Sequence, residues 1–314
     1  MGEIIDIAIV GGGPAGLAAA LYGARARADT VVFESVLPGG QIITTDWIEN
    51  YPGMPEGLNG SRVGELMHAH AEKFGARFRT FSPIREIRLE SCGFRLVCDD
   101  AEGGGLARTV ILATGATPSS LGIPGETEYS GRGVSWCATC DGALYRGKVV
   151  AVVGGGDAAL EEAMFLTKFA ARVHLIHRRD EFRATKCIQE RALVNEKIEV
   201  HYSRRPVQII GLEGKVSSIV LQSTAGKPDE TLQVSGVFEF VGVHPNSDLV
   251  VGLADLAEGG WVRVSTSMAT SREGLFAAGD VTDTPLKQVV TAAGQGATAA
   301  FEALRYLDSG VCAL

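Results

Sequence analysis

Long apolar runs are missing from this 314-residue chain: none approaches the roughly 18 residues that a membrane-spanning helix needs. Met1 leads within three residues into a strand-like apolar stretch, with neither a cationic leader nor a cleavage site, so the expected location is the cytoplasm. Signals for lipid attachment fail too: Asp6 stands where myristoylation requires Ser or Thr, and Cys312 is third, not fourth, from the end. Positive charge is scarce. Against 37 Asp and Glu there are 29 Lys and Arg, a formal charge of −8, and the one dense basic cluster, HRRDEFR at His177–Arg183, is too local to grip a duplex. Nucleic acid is therefore excluded as a partner. Cysteine is sparse as well: Cys92, Cys98, Cys137, Cys140, Cys187 and Cys312 make no disulfide framework in a chain of this size. Zinc lacks its four ligands, because a single CxxC supplies two, Cys92 and Cys98 are separated by five residues around a turn, and no CxxH or HxxxH completes a set.

Glycine is abundant, 40 residues against a usual share of roughly 7%, and it comes in clusters that punctuate Val, Ile, Leu and Ala runs. Ile4–Val10, GGGPAG, a helical stretch Leu17–Ala28 and Thr30–Glu34 form a strand, turn, helix, strand unit. Val149–Val153, GGGDAA, Leu160–Ala170 and Val173–His177 repeat that order 143 residues later. Between them Ile84–Leu89, Phe94–Cys98 and Thr109–Ala113 read as strands, with DDAEGGG as a turn. After the second unit come strands Val207–Leu212, Val216–Gln222 and Val237–Val241, then the strand GLFAAGD and a helix Lys287–Leu307. This tail is too short for a domain of its own. It is expected to return to the first domain, so that 1–116 and 245–314 form one domain and 117–244 an insertion, joined by Pro- and Gly-rich linkers near 117 and 244.

Each repeated unit carries a nucleotide fingerprint. At Gly11, Gly13 and Gly16 the first glycine permits a tight turn, the second admits a pyrophosphate and the third lets helix and strand pack; Glu34 then falls where a carboxylate accepts from ribose hydroxyls. Gly154, Gly156 and Ala159 take the same places, but the matching position downstream is His177, followed by Arg178, Arg179 and Arg183. Guanidinium groups pair with a ribose 2′-phosphate that a carboxylate repels, so the second site is expected to take NADP rather than NAD. Asp157, discordant beside a pyrophosphate, reads first as a helix N-cap. Two nicotinamides would leave electrons nowhere to go, and the first site is accordingly read as holding FAD.

Cys137 and Cys140 form the CxxC, and thirteen residues separate Cys140 from the second glycine run. A merely buried pair or an inert clasp is the plain alternative. Donor machinery on either side favours a redox pair, with Asp141 as the nearby proton-managing group, although Asp141-Gly142 is also an ordinary turn pairing.

With GGGPAG, GGQ, ENYPG, ATG, CATCDG, GGGDAA, HRRDEFRA, AAGDV and KQVVTAAG in place, the chain resembles the low-molecular-weight thioredoxin reductases over essentially its whole length. The resemblance implies an α/β fold of two Rossmann-like domains of the pyridine nucleotide-disulfide oxidoreductase type, one inserted in the other. It implies that Gly11, Gly13, Pro14, Ala15, Gly16, Glu34, Gly40, Gln41, Asn50, Thr114, Gly115, Gly279, Asp280, Lys287, Gln288 and Val289 hold FAD. Gly154, Gly156, Asp157, Ala158, His177, Arg178, Arg179 and Arg183 would hold NADPH. Cys140 would face the flavin, Cys137 would attack the disulfide of thioredoxin, Asp141 would move protons, and the protein would be a homodimer whose inserted domain rotates between two states. Trp136, where a small residue is common, and Val243, before HPN, depart from the pattern; Trp136 is expected to bear on partner choice. A ferredoxin:NADP reductase would leave CATCDG idle, and a redox-sensing binding protein would use FAD and the disulfide only to report. A hydroperoxide reductase subunit would need an extension with more CxxC pairs ahead of Gly11.

Overall fold

The computed structural model describes residues 4–45, 48, 50–99 and 103–310; Glu49 of ENYPG, the middle of the DDAEGGG turn and Cys312 lie outside them. In chain order, β1 (Ile4–Val10) leads through a glycine turn into α1 (Pro14–Arg25), then β2 (Thr30–Phe33), α2 (Gly60–Lys73), β3 (Arg77–Arg79), β4 (Ile84–Leu89), β5 (Phe94–Cys98), β6 (Gly105–Leu112) and β7 (Ala116–Pro118). Next come β8 (Val134–Ser135), α3 (Ala138–Asp141), β9 (Val149–Gly154), α4 (Asp157–Leu166), β10 (Arg172–Ile176), α5 (Lys186–Leu193) and β11 (Ile198–His201). The chain continues through β12 (Arg204–Leu212), β13 (Lys215–Ser223), β14 (Glu230–Gln233), β15 (Gly236–Phe240) and β16 (Val243–Pro245), and ends on β17 (Leu275–Ala277) and α6 (Val289–Asp308). It divides into two compact units, Met1–Thr117 with His244–Leu314, and Pro118–Val243.

In the first unit the sheet runs β3-β2-β1-β6-β5-β4, with β17 also pairing with β6. The first half of β6 accepts β5 antiparallel and its second half accepts β17 parallel, while β1 pairs along its length. β6 therefore starts at Gly105, four residues earlier than the apolar pattern suggested, because backbone pairing continues where side-chain patterning fades into glycine. Side chains on β1 alternate: Ile7 and Ile9 face a core built on the alanines of α1 and α6, Ala8 and Val10 a second core with Phe94, Leu96 and Val262. A Cβ at Gly296 would overlap the Ala15 carbonyl oxygen, so α6 lies directly on α1 and the C-terminal segment belongs to this core.

The second unit has an all-parallel sheet, β11-β10-β9-β15-β8, and an antiparallel ribbon, β12-β13-β14. Val150, Val152, Val173, Leu175 and Phe238 pack toward α4 and α5; Ala151, Val153, Ile176 and Val237 pack toward the ribbon residues Ile209, Ile219 and Leu221. α4 stops at Leu166, short of the expected Ala170, where Thr167 turns its hydroxyl back to the Met164 carbonyl. α1 starts at Pro14 rather than Leu17, since proline at the first helical position gives up an N–H that has no partner there.

The ribbon-facing side is not wholly apolar. Glu239, 2% exposed on β15, has its carboxyl pushed up to about 9, first by burial and then by the charge of Glu126. Burial opposes ionisation of Glu126 as well, but hydrogen bonds from Ser120 and from the Leu121 and Ile123 N–H groups outweigh it and hold that carboxyl below its ordinary range. Unfolded, Glu239 releases its proton near 4.5; folded, it holds it to about 9, so stability should fall as pH rises across that window. Glu239→Gln should flatten this dependence. Melting midpoints of both proteins at about pH 6 and about pH 8.5 test it: the variant gains on wild type at the higher pH, and an equal gap at both would contradict the assignment.

Candidate active site

In the first glycine loop, a Cβ at Gly16 would overlap the Gly11 carbonyl oxygen and one at Gly11 the Ala113 carbonyl, so backbone meets backbone at both ends of the turn. The middle glycine is different: around Gly13 the nearest atom to an added Cβ is Gly40 Cα at 3.8 Å, which leaves this side open to a phosphate. Glu34 is buried at the end of β2; its Oε2 accepts from Gly12 N–H (2.6 Å) and its Oε1 from Val36 N–H (2.9 Å). Gly39 N–H donates to the Gly12 carbonyl (2.7 Å), drawing Gly40 and Gln41 against the loop. Gln41 donates to the Ala116 carbonyl beside Gly115, whose φ of 68° needs glycine. Thr114 is tied to Asn246 by two hydrogen bonds (2.6 and 2.9 Å).

From the C-terminal segment, Gly279 packs against Ala15 and its N–H donates to Gln295 Oε1 (2.8 Å). Gln288 caps α6 and accepts from Asn50 Nδ2 (3.1 Å), so these two expected residues do come together, with Val289 behind them as the first residue of the helix. Asp280 is partly buried, and burial raises its carboxyl pKa despite Lys287. Lys287 itself is spent on structure: Nζ donates to the carbonyls of Asp280 and Thr282 (3.1 Å each) and Thr284 (3.4 Å) and sits 3.9 Å over the Trp261 ring.

The second loop repeats the geometry. Ala159 meets Gly154 as Gly16 meets Gly11, and nothing lies within 4 Å of a Cβ added to Gly156, so the position that must admit a pyrophosphate is again bare; Ala158 follows in the first turn of α4. Two side chains do work that differs from expectation. Asp157 is not the N-cap, a position taken by Gly156; it begins α4, and its Oδ1 accepts from Thr185 N–H (2.6 Å). His177 does not reach outward. It is buried, with Nδ1 3.1 Å from the Gly154 carbonyl and Nε2 2.9 Å from that of Glu181, and burial lowers its pKa. Arg183 N–H (2.8 Å) and Ala184 N–H (3.1 Å) donate to the Gly155 carbonyl. These bonds stitch the basic loop to the glycine loop and leave Arg178, Arg179 and Arg183 exposed, with no ion pair among the described residues.

Cys137 and Cys140 are joined in a disulfide, both partly exposed, across the start of the short helix α3. Cys140 N–H donates to Cys137 Sγ (3.2 Å), and the Thr139 hydroxyl lies 3.4 Å from the same sulfur. Asp141 is anchored by Ser135, whose hydroxyl donates to Oδ2 (2.6 Å) and accepts from Cys137 N–H (3.1 Å). One serine thus positions both the expected proton carrier and the first cysteine. Trp136 turns inward: it packs on the ribbon-side core with its indole nitrogen buried, so its bulk is absorbed by the fold.

A family model described as pyridine nucleotide-disulphide oxidoreductase matches residues 5–296. The chain belongs to that family. Among curated relatives it is 43% identical, over 98% of its length, to "NADPH-dependent thioredoxin reductase 3" of Arabidopsis thaliana, of which it spans 59%. It is 45% identical to the thioredoxin reductase of Mycolicibacterium smegmatis, with 96% of each chain covered. The crystal structure of thioredoxin reductase from Streptococcus pyogenes MGAS5005 is 39% identical, with a TM-score of 0.93 over 98% of this chain and 99% of that one.

Pyridine nucleotide-disulphide oxidoreductases use flavin and nicotinamide nucleotides, and both glycine loops of this member have the bare middle position such groups require. Ser135 and Gln295, which hold Asp141 and Gly279, carry no pattern of their own in the sequence: they act through tertiary contacts. No helix among the described residues is long and apolar enough to cross a membrane. Ser135→Ala should leave the disulfide formed but slow its use in turnover by about tenfold, the worth of a hydrogen bond to a charged group. Steady-state rates against pH measure this; an unchanged acid limb would remove Ser135 from the proton path.

Proposed function

We propose that this chain is a thioredoxin reductase that passes electrons from NADPH, by way of FAD and the Cys137–Cys140 disulfide, to the disulfide of thioredoxin. The observation that carries the reading is a disulfide held on the same compact unit as a glycine loop that is hydrogen-bonded to Arg183, at the end of a basic loop whose Arg178, Arg179 and Arg183 have no ion pair among the described residues. On this reading Met1–Thr117 with His244–Leu314 is the FAD domain and Pro118–Val243 the NADPH domain. Glu34, Gln41, Asn50, Asp280 and Gln288 are the side chains offered to FAD; Arg178, Arg179 and Arg183 are those offered to the 2′-phosphate. Flavin bound there supplies a two-electron relay between a reduced nicotinamide and a disulfide.

The protein's own part in the reaction is thiol chemistry. The Cys140 N–H donates to Cys137 Sγ and the Thr139 hydroxyl lies beside it, contacts that favour a thiolate there and support Cys137 as the nucleophile. In the dithiol form, Cys137 Sγ⁻ attacks one sulfur of thioredoxin. The substrate S–S bond breaks as the mixed disulfide forms, and the departing sulfur takes a proton from Asp141. Cys140 then gives a proton to Asp141 and attacks Cys137 Sγ, which re-forms the internal disulfide and releases the second substrate thiol after protonation. A single disulfide must serve both a flavin and a bulky protein, so the inserted domain rotates about β7 and β16, the two segments that join the units and pair with each other.

The setting follows from the chemistry. NADPH-driven thiol reduction belongs in a reducing cytoplasm. Tyr22, Leu66, Val290 and Phe301 leave large apolar surfaces on α1, α2 and α6 in solvent, which supports a homodimer.

Cys137→Ser should abolish thioredoxin reduction yet keep NADPH-dependent bleaching of the flavin; thioredoxin turnover surviving in that variant would reject the assignment. Arg178→Ala with Arg179→Ala should raise the NADPH KM by about tenfold or more and leave the NADH KM nearly unchanged, since each charge-assisted bond contributes about 1.5–3 kcal/mol. A crosslink that fixes the two domains should stop turnover, and an active crosslinked enzyme would exclude the rotation.

A further inference from the structure

The ribbon-facing side of the second sheet carries a polar cluster that the redox reaction does not use. His174 on β10, and Glu199 and His201 on β11, share one face, because His174 stands opposite Glu199 and Ile176 opposite His201 in the parallel register. His174 Nδ1 lies 2.9 Å from His201 Nε2, and the two nitrogens lie 3.6 and 3.7 Å from the Glu199 carboxylate oxygens. We propose that His174, His201 and Glu199 form a binding site for a divalent transition metal of the zinc class.

Three features argue for this beyond proximity. The first is size: an ion with bonds of about 2.0–2.1 Å places its tetrahedral ligands about 3.3 Å apart, which these distances bracket. The second is an outer partner. Glu230 on β14 stands 3.4 Å from the far nitrogen of His201, the carboxylate–histidine arrangement that orients a ligating ring. It also gives the proton now shared between the rings a place to go, because ligation through His201 Nε2 requires the tautomer with its proton on Nδ1, facing Glu230. The third is access: the two imidazoles are 11% and 9% exposed and Glu199 is 46% exposed, so the rings are fixed while one side stays open to water or an exchangeable fourth ligand.

The donor set decides the ion. Two imidazoles and a carboxylate suit zinc and its neighbours, whereas magnesium and calcium take oxygen ligands. Charge sets a competitor. Arg172 Nη1 pairs with Glu199 Oε2 at 2.8 Å, and Arg204 lies 3.6 Å from Glu230, so the two acids are balanced by two arginines. Arg204 is largely covered, 14% exposed, but Arg172 is 58% exposed and can swing away when an ion arrives. Bound metal would clamp the edge strand β11 to β10 and, through Glu230, to the ribbon.

The test uses the full-length, FAD-loaded protein with its disulfide oxidised, stripped with EDTA and titrated calorimetrically with zinc chloride. Zinc should bind at one ion per chain and magnesium chloride should give no heat. Glu199→Gln should weaken zinc binding by about tenfold or more, and Arg172→Gln should tighten it, a gain that a purely structural hydrogen-bonded cluster does not produce. Both residues are exposed, so neither change threatens folding. Cys187, a free and exposed thiol, is the alternative ligand, and Cys187→Ser should leave binding intact. No zinc binding by wild type, binding indifferent to Glu199→Gln, or binding lost with Cys187→Ser would each overturn the proposal.

Discussion

Both units depend on one steric constraint: a strand must turn into a helix so sharply that the first residue of the turn and the third of the fingerprint touch. In the first unit that contact is Gly16 against the Gly11 carbonyl, in the second Ala159 against Gly154. Neither can widen without lifting the helix off the sheet. The same tightness leaves the middle position bare and turns the helix N–H groups toward it, which suits an anion. The chain builds this turn twice, once in each unit.

What surrounds the turn then distinguishes the two sites. In the first, a carboxylate closes on the loop: Glu34 accepts from Gly12 and Val36, and so fixes a negative group at the end of β2. In the second, the equivalent place holds a histidine whose ring sits between the Gly154 and Glu181 carbonyls. A neutral imidazole donates through only one nitrogen, and burial beside Arg179 and Arg183 disfavours the charged form, so His177 serves as a strut that faces two acceptors. Asp157 holds the other end of the same loop at Thr185. With both ends tied, Arg178, Arg179 and Arg183 project into solvent with no ion pair among the described residues, an arrangement that suits an anion.

The sequence was most readable where backbone geometry dictates residue type. Glycine spacing, apolar runs and the CxxC are local patterns, and β1, β4 and β5 begin and end where the sequence reading placed them. It was least readable where a polar side chain answers a partner far along the chain. Asp157 looked like a cap because carboxylates usually cap helices, but its partner is 28 residues away. Lys287, which the resemblance places at the FAD site, has its ammonium held by three carbonyls of its own segment and over an indole ring, contacts that no local pattern announces. His174 and His201 gave no spacing signal at all, since they lie on neighbouring parallel strands separated by a helix.

The ribbon-facing side of the second sheet shows why such groups persist. α4 and α5 cover the opposite side with aliphatic and aromatic residues, but on the ribbon-facing side polar groups meet: Glu239 next to Glu126 of the segment before β8, and His201 next to Glu230 of the ribbon. A carboxyl that must stay protonated at neutral pH weakens the unit as pH rises, so packing alone does not account for Glu239. Its strand pairs with β8, from which Ser135 reaches Asp141. Ser135 stands opposite Phe238 and so shares the helix-covered face, where Ala138, between the two cysteines, also packs; the apolar side of the sheet thus carries the disulfide, and the polar side is left to the ribbon.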